Sequence, residues 1–255
     1  MILPVDTNDS PNYTPAQHAD HHNILHAFNN DHPTDPLAHD GVYAASVLYL
    51  PGVAGNYVST PDSAALSITG DIDIRVKVAL DDWTPAANTC LLGKYVAAGS
   101  NISYLFYVGT SGLFRFQWTT NGTTASVVNS TVANSITNGA TKWGRVTMDV
   151  DNGVVGNDVK FYTSDDGASW TQLGATVTTA GVTSIYDGTA SVAIGAIDSG
   201  VSMLLAGNVY YAEIRNGIDG TIVGSYDSIF PASRYRDPQG NIWTVNGTAN
   251  GWQKA

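Results

Sequence analysis

From Gly41 onward the chain alternates apolar and polar residues in short runs, and turn-forming residues break each run. A period of two puts alternate side chains on opposite faces of an extended strand, so the pattern predicts half-buried β-strands. Ile72-Asp73-Ile74-Arg75-Val76-Lys77-Val78 is the cleanest case, with Ile72, Ile74, Val76 and Val78 on one face. The same reading predicts strands over Ser46–Leu50, Asn56–Ser59, Ser191–Gly195, Val209–Arg215 and Ile242–Val245. It also predicts a hairpin of Ile102–Val108 and Leu113–Trp118 around Gly109-Thr110-Ser111-Gly112, and a further pair, Trp143–Val150 with Val159–Thr163. Many short strands at regular spacing define an all-β sandwich or barrel, and 255 residues are enough for one such domain with a full core.

Composition narrows the partners. The net charge is −11, and the eleven basic residues are scattered, so no basic groove for nucleic acid and no patch for an anionic membrane is expected. Of 22 acidic residues only Glu213 is a glutamate. Aspartate bonds nearby backbone in turns and caps, which assigns most of these carboxylates to loops. No apolar run reaches the roughly 18 residues of a membrane span. Cys90 is the only cysteine, and Met1-Ile2-Leu3-Pro4-Val5-Asp6 lacks the basic and apolar regions of a secretory leader. Synthesis in a reducing cytoplasm is therefore the expectation. The sequons at Asn101, Asn121, Asn129 and Asn246 then read as turns.

The first forty residues differ from the rest. All six histidines lie there: His18, His21, His22, His26, His32 and His39. Residues 1–13 read as an extended arm. Thr14 is an N-cap, Pro15 suits the first helical position and Gln17 completes a capping box. These residues predict a helix over Pro15–Asn30, about 24 Å long, ended by Asn29-Asn30 and then Pro33 and Pro36. His18, His21 or His22, Leu25 and Phe28 form one face, with Ile24 beside it. That stripe is too thin to stabilise an isolated helix, so it calls for a partner, and three copies about a symmetry axis are the favoured arrangement. His18, His22 and His26 recur at one-turn spacing, which raises a metal reading. No HExxH pattern and no nearby cysteine accompany them, so the expectation is a polar seam with no metal. The expected division is 1–40 as arm, helix and linker for attachment or oligomerisation, and 41–255 as the sandwich.

Several segments resemble the laminin G-like branch of the concanavalin A-like lectin and glucanase superfamily. Gly55–Gly70 is similar to that family's opening strand, small-residue turn and core-plugging leucine, here Leu66. Asp71–Leu80 resembles its long second strand, Trp143-Gly144-Arg145-Val146-Thr147 its W-x-x-V strand, and Gly207–Asn216 its late strand. The resemblance spans about residues 44 to 250. It implies a jelly-roll sandwich of two antiparallel sheets. The wording of "YVSTPDSAALSITGDIDIRVKVALDDWTP", "FYTSDDGASWTQLGATVT" and "DPQGNIWTVNGTANGW" further resembles laminin G-like minor tail proteins of actinobacterial tailed phages. "YTPAQHADHHNILHAFNN" is similar to the N-terminal helix of many phage tail and fibre proteins. The resemblance implies a bacteriophage virion protein, on the tail or as surface decoration. It would be homotrimeric, joined to other virion proteins through its N-terminal segment, and show a lectin-like domain for host recognition. Some family members bind calcium through acidic residues of the late strand. Tyr210 and Tyr211 stand at those positions here, so no cofactor is expected, although Asn56, Asp187 and Asp198 offer loop oxygens.

The superfamily's glucanases carry E-x-D-x-E on one strand, and a chain with a single glutamate has no such motif. Asp71/Asp73 and Asp149/Asp151 alternate onto common faces, yet both pairs flank turns and read as structural. Ser164–Trp170 is similar to the Asp-box of sialidases but is one residue short and occurs once. Its Asp-Gly makes a hairpin turn with Trp170 packed behind it. Every histidine lies before the sandwich, so no Ser-His-Asp set forms, and an enzyme is not expected. Carbohydrate binding remains. It uses flat aromatic faces together with amide and carboxylate groups. The candidates are Trp83 and Tyr95, Trp118 with Asn121, and Tyr211 with Glu213, the last two sharing the face opposite Ala212 and Ile214. The leading expectation is a virion structural protein that binds host surface glycans. The alternatives are a bacterial carbohydrate-binding module without catalysis and, behind it, a glycoside hydrolase.

Overall fold

A computed structural model describes residues 46–229, 234–247 and 252–254. The arm, helix and linker expected over residues 1–40, with His18, His21, His22, Leu25 and Phe28, lie outside the described residues.

Among the described residues there are two antiparallel sheets. The larger has nine strands in the order β10 (Thr171–Gln172), β9 (Gly156–Ser164), β8 (Lys142–Asp149), β3 (Ile72–Leu80), β13 (Ala206–Asn216), β1 (Ser46–Pro51) and β17 (Trp252–Lys254). β11 (Val177–Ala180) pairs with β9, and β14 (Thr221–Asp227) pairs with β13. The smaller has eight strands: β15 (Arg234–Arg236), β16 (Ile242–Asn246), β2 (Tyr57–Thr60), β12 (Val192–Ile194), β4 (Thr89–Val96), β5 (Asn101–Val108), β6 (Phe114–Thr119) and β7 (Ala125–Asn129). The chain crosses repeatedly between the sheets, so the strands at the centre of each sheet have neighbours distant in sequence, as where β13 lies between β1 and β3. This is the all-β sandwich of two antiparallel sheets that the alternation and the resemblance lead one to expect.

Alternation explains the layers. Ile72, Ile74, Val76, Val78 and Leu80 of β3, Val146 and Met148 of β8, and Val159 and Phe161 of β9 are all buried between the sheets. From the smaller sheet they meet Leu92, Tyr104, Phe106, Val108, Phe114, Phe116 and Trp118. Phe106 packs edge-on to Phe114 at 5.5 Å and faces Phe161 across the sandwich at 6.4 Å. Gly144 of β8 makes room for these rings, since a Cβ there would come within 3.2 Å of Phe114 and 3.5 Å of Phe106. At the other end Trp243 donates its indole N–H to Asp237 at 3.1 Å. The same carboxylate accepts the backbone N–H of Ser225 and of Asn241, which ties β14 to the turn before β16.

Polar residues of the larger sheet face away from the core. A β-bulge at Tyr210 sets their phase on β13: Val78 pairs with Val209 and Lys77 with Tyr211. The extra residue lets Val209, Ala212 and Ile214 all face inward, while Tyr211, Glu213 and Arg215 fall on the outer face.

Phe106 is fully buried in a ring cluster contributed by both sheets. Replacing it by alanine is expected to lower stability by about 3–5 kcal/mol, read from the denaturant midpoint at unchanged slope.

Candidate binding face on the larger sheet

The outer face of the larger sheet gathers a cluster of charged and aromatic side chains. Asp73 and Arg75 on β3, Arg145 on β8, and Glu213 and Arg215 on β13 are neighbours by register: Arg75 pairs with both Arg145 and Glu213. Asp73 is fully buried, and both arginines grip it. Arg75 donates from Nη2 at 2.7 Å and Nε at 3.2 Å, and Arg145 from Nη2 at 2.7 Å and Nε at 3.0 Å. Asp73 also accepts the backbone N–H of Asp219 at 3.1 Å.

Asp219 lies in the Gly217–Gly220 turn between β13 and β14. Its Oδ1 accepts from Nη2 of Arg145 at 2.8 Å and also from Nη2 of Arg75. Burial works against its charge, but the hydrogen bond and positive charge of Arg145, followed by Arg75, leave its carboxyl below the ordinary value. Beside it Glu213 is only 6% exposed. Glu213 accepts from Arg215 Nε at 2.7 Å and from the Tyr211 hydroxyl at 3.1 Å. Burial, then the negative charge of Glu213, pushes the Tyr211 phenol well above its ordinary value.

Aromatic rings cover this ionic floor. Trp170 lies over both guanidinium groups, 5.5 Å from Arg75 and 5.4 Å from Arg145, and Tyr162 lies 5.1 Å from Arg145. Trp143 packs edge-on to Trp170 at 6.2 Å and tilted to Tyr211 at 5.5 Å. Further along the face Lys77 lies 5.5 Å from the Tyr210 ring. Trp143, Trp170, Tyr162, Tyr210 and Tyr211 are all half-buried, so each keeps part of its ring in contact with solvent.

Trp170 is delivered by the turn between β9 and β10. Asp166 accepts the backbone N–H groups of Ala168 and Ser169, each at 2.8 Å, and the Ser164 hydroxyl at 2.9 Å. Gly167 has φ +76, and a Cβ there would come within 2.7 Å of the Trp143 ring, so the turn lies flat against that indole. Trp170 therefore packs over the arginines and against Trp143, the ring on which the turn itself rests.

The sequence-derived candidates do not converge. Trp83 is 0% exposed: it lies 6.3 Å from Phe114 and donates its indole N–H to Ala140 O at 3.1 Å. Trp118 is stacked on Phe116 at 5.9 Å, with its N–H on Thr183. Both are core residues with no ring face to offer, because inward positions of β6 and of the loop after β3 need large apolar side chains. Asn121 is exposed, but its carbonyl oxygen holds its own turn by accepting from the N–H groups of Thr123 and Thr124. Tyr95 is half-buried on the other sheet, against Cys90, Leu105, Tyr107 and Ile197. Only Tyr211 and Glu213 belong to the face described here. Asp71 accepts from Val150 N–H and Asp149 from Asp151 N–H, as expected of turn residues. Asp198 accepts from Ala97 N–H, and Asp187 lies 3.9 Å from Lys94 Nζ. Among the described residues no three His, Cys, Asp or Glu side chains are grouped to hold a metal. Trp143 and Trp170 were missed as candidates, although the alternation of β3 and β8 already put Arg75 and Trp143 on the polar side.

No family model and no curated protein matches the sequence. Solved structures that it is similar to include a heptameric SAP-like pentraxin from Limulus polyphemus, with 12% identity over 69% of this chain and 78% of that chain, at a TM-score of 0.45. Another is domains LG4-5 of the mouse laminin alpha1 chain, with 9% identity, 75% and 48% coverage and a TM-score of 0.44. A third is the CBM40 of Ruminococcus gnavus IT-sialidase bound to alpha2,3 sialyllactose, with 13% identity, 64% and 85% coverage and a TM-score of 0.42. None of these likenesses carries a ligand or an activity to this chain. No helix among the described residues is long and apolar enough to cross a membrane.

The Asp166 turn has a pH signature. The N–H groups of Ser169, then Ala168, then the Ser164 hydroxyl hold its carboxyl down to about 2. The turn's stabilisation is then present above the ordinary value of 3.8 and is lost as pH falls through about 2. The Ser169 and Ala168 amide resonances are expected to titrate in that window, and to stay flat in Asp166→Asn, which keeps the acceptor without the charge.

Proposed function

We propose that the sandwich is a non-catalytic glycan-binding module, displayed as a structural protein of a tailed-phage virion on the tail or as surface decoration. The observation that carries the binding role is the aromatic cluster of Trp143, Trp170 and Tyr211 on the outer face of the larger sheet. Half-buried rings of this kind offer apolar surface to sugar C–H groups, and the surrounding arginines and carboxylates supply hydrogen bonds to hydroxyls.

Glu213 supports the non-catalytic reading. A glycosidase needs one carboxyl free to hand over a proton and another free to attack or to activate water. The single glutamate is instead buried under Arg215 and the Tyr211 hydroxyl. No metal or other cofactor is needed for this role. The virion placement rests on the resemblance of the quoted segments to phage minor tail proteins. In that reading residues 1–40 attach the protein to other virion components as a homotrimer, and the partner outside the virion is a host surface glycan.

The test is a glycan array on the full chain, followed by calorimetry with the sugar that binds. Trp170→Ala is expected to weaken binding about tenfold or more, and Tyr95→Ala, on the other sheet, to leave it unchanged. An array with no bound sugar, or binding indifferent to Trp170, rejects the face. For the assembly, the full chain is expected to sediment with the mass of a trimer and a chain lacking residues 1–30 as a monomer. Equal oligomers argue against the attachment role.

A further inference from the structure

The ionic floor of this face contains one partner unlike the others. Asp73 and Glu213 are buried, whereas the Asp219 side chain is 67% exposed and sits on a turn. Arg75 and Arg145, by contrast, have side chains only 10% and 7% exposed. Their Nη2 groups converge on a single oxygen, Oδ1 of Asp219. The two guanidinium groups are fixed from below by Asp73 and from one face by Trp170. Counting Arg215, three arginines face two buried carboxylates, Asp73 and Glu213, with Glu213 Oε1 also 3.5 Å from Arg75 Nε; one positive charge is left, and Asp219 answers it from the solvent side. What remains when Asp219 moves away is a rigid, paired guanidinium seat for one carboxylate oxygen, beside a half-buried indole.

We infer that the Asp219 carboxylate is a built-in stand-in for the carboxylate of an acidic sugar, such as a uronic acid residue, which displaces it from Arg75 and Arg145 and lies against Trp170. This rests on the proposed glycan-binding role and names the class of sugar. Guanidinium groups recognise carboxylates through short charge-assisted hydrogen bonds, and here the donors are already oriented. A tethered competitor acts at millimolar effective concentration or more, so a free acidic sugar binds the native protein weakly until the competitor is removed.

The turn allows a selective test. The backbone N–H of Asp219, not its side chain, is bonded to Asp73, and Asp219 has φ +53, which glycine adopts without strain. Asp219→Gly therefore removes the carboxylate while keeping the turn anchored. The full chain is titrated by tryptophan fluorescence with methyl glucuronide, methyl glucoside and acetate. Asp219→Gly is expected to bind the glucuronide about tenfold more tightly than the native protein does, with the glucoside and acetate each gaining less. Adding Arg145→Gln is expected to abolish the gain. Should that variant fail to fold, Arg145→Lys, which keeps the charge but loses the fork, is expected to lose most of it.

No gain for the glucuronide, a gain that survives loss of Arg145, or an equal gain for acetate overturns the inference. If neutral glycans from the array still bind through Trp170 while Asp219→Gly changes nothing, this inference alone fails. If no sugar, neutral or acidic, depends on Trp170, the proposed function fails with it.

Discussion

A carboxylate without access to water keeps its charge only when its oxygens are filled, and Asp73 fills them from three chain segments. Arg75 lies two residues along the same strand, Arg145 comes from the neighbouring strand, and the Asp219 N–H comes from the turn after β13. Taking any one of these ions from water costs several kcal/mol, which only close geometry offsets. The network therefore fixes β3, β8 and the β13–β14 turn relative to one another on a face that contributes nothing to the apolar core. Trp170 inherits its place from this floor, since the two guanidinium groups beneath it are held still by Asp73.

Most of the sandwich was legible because it obeys period two. β3, the β5–β6 hairpin and the β8–β9 pair lie where the alternation puts them, to within a few residues. β4 was not legible. Its pairing with β5 slips between Cys90 and Leu92 and again between Lys94 and Tyr95, so the alternation is broken twice. Within it Lys94 is buried, held by Asp62 at 2.6 Å, and a lysine at such a position argues against an inward face. β14 was hidden by Gly224, where a Cβ would come within 3.0 Å of Leu66: the absence of a side chain there is what packing requires. β7 is a mostly exposed edge strand in which Val128 alone packs against the core, too little to show a period.

The site was less legible than the fold, for a different reason. Alternation tells which side of a strand a residue takes, but Trp83 lies in a loop, and a loop residue has no phase. Trp118 has a phase, and it points into the core. Aspartate content was the better guide. Asp82, Asp149, Asp151, Asp166 and Asp227 each accept the backbone N–H two residues on, as a short carboxylate at a turn does. Asp73 departs from that rule by answering two arginines within a strand. The informative signal was thus an aspartate where turn chemistry did not require one.

Burial also ranks the carboxylates of the face by how readily each can be exchanged. Withdrawing Asp73 strands the buried Arg75 and Arg145, a change that costs about 3–5 kcal/mol in comparable buried pairs. Withdrawing Asp219 breaks a contact whose carboxylate side is 67% exposed, so water can take over part of it, as it cannot for Asp73. The arginines are therefore held on their inner side by buried carboxylates and on their outer side by an exposed one. A turn with glycine at both ends, Gly217 and Gly220, carries the exposed partner, while strands carry the buried ones. The inferred displacement of Asp219 by an acidic sugar depends on that difference, because an incoming carboxylate has to replace only the partner that water already reaches.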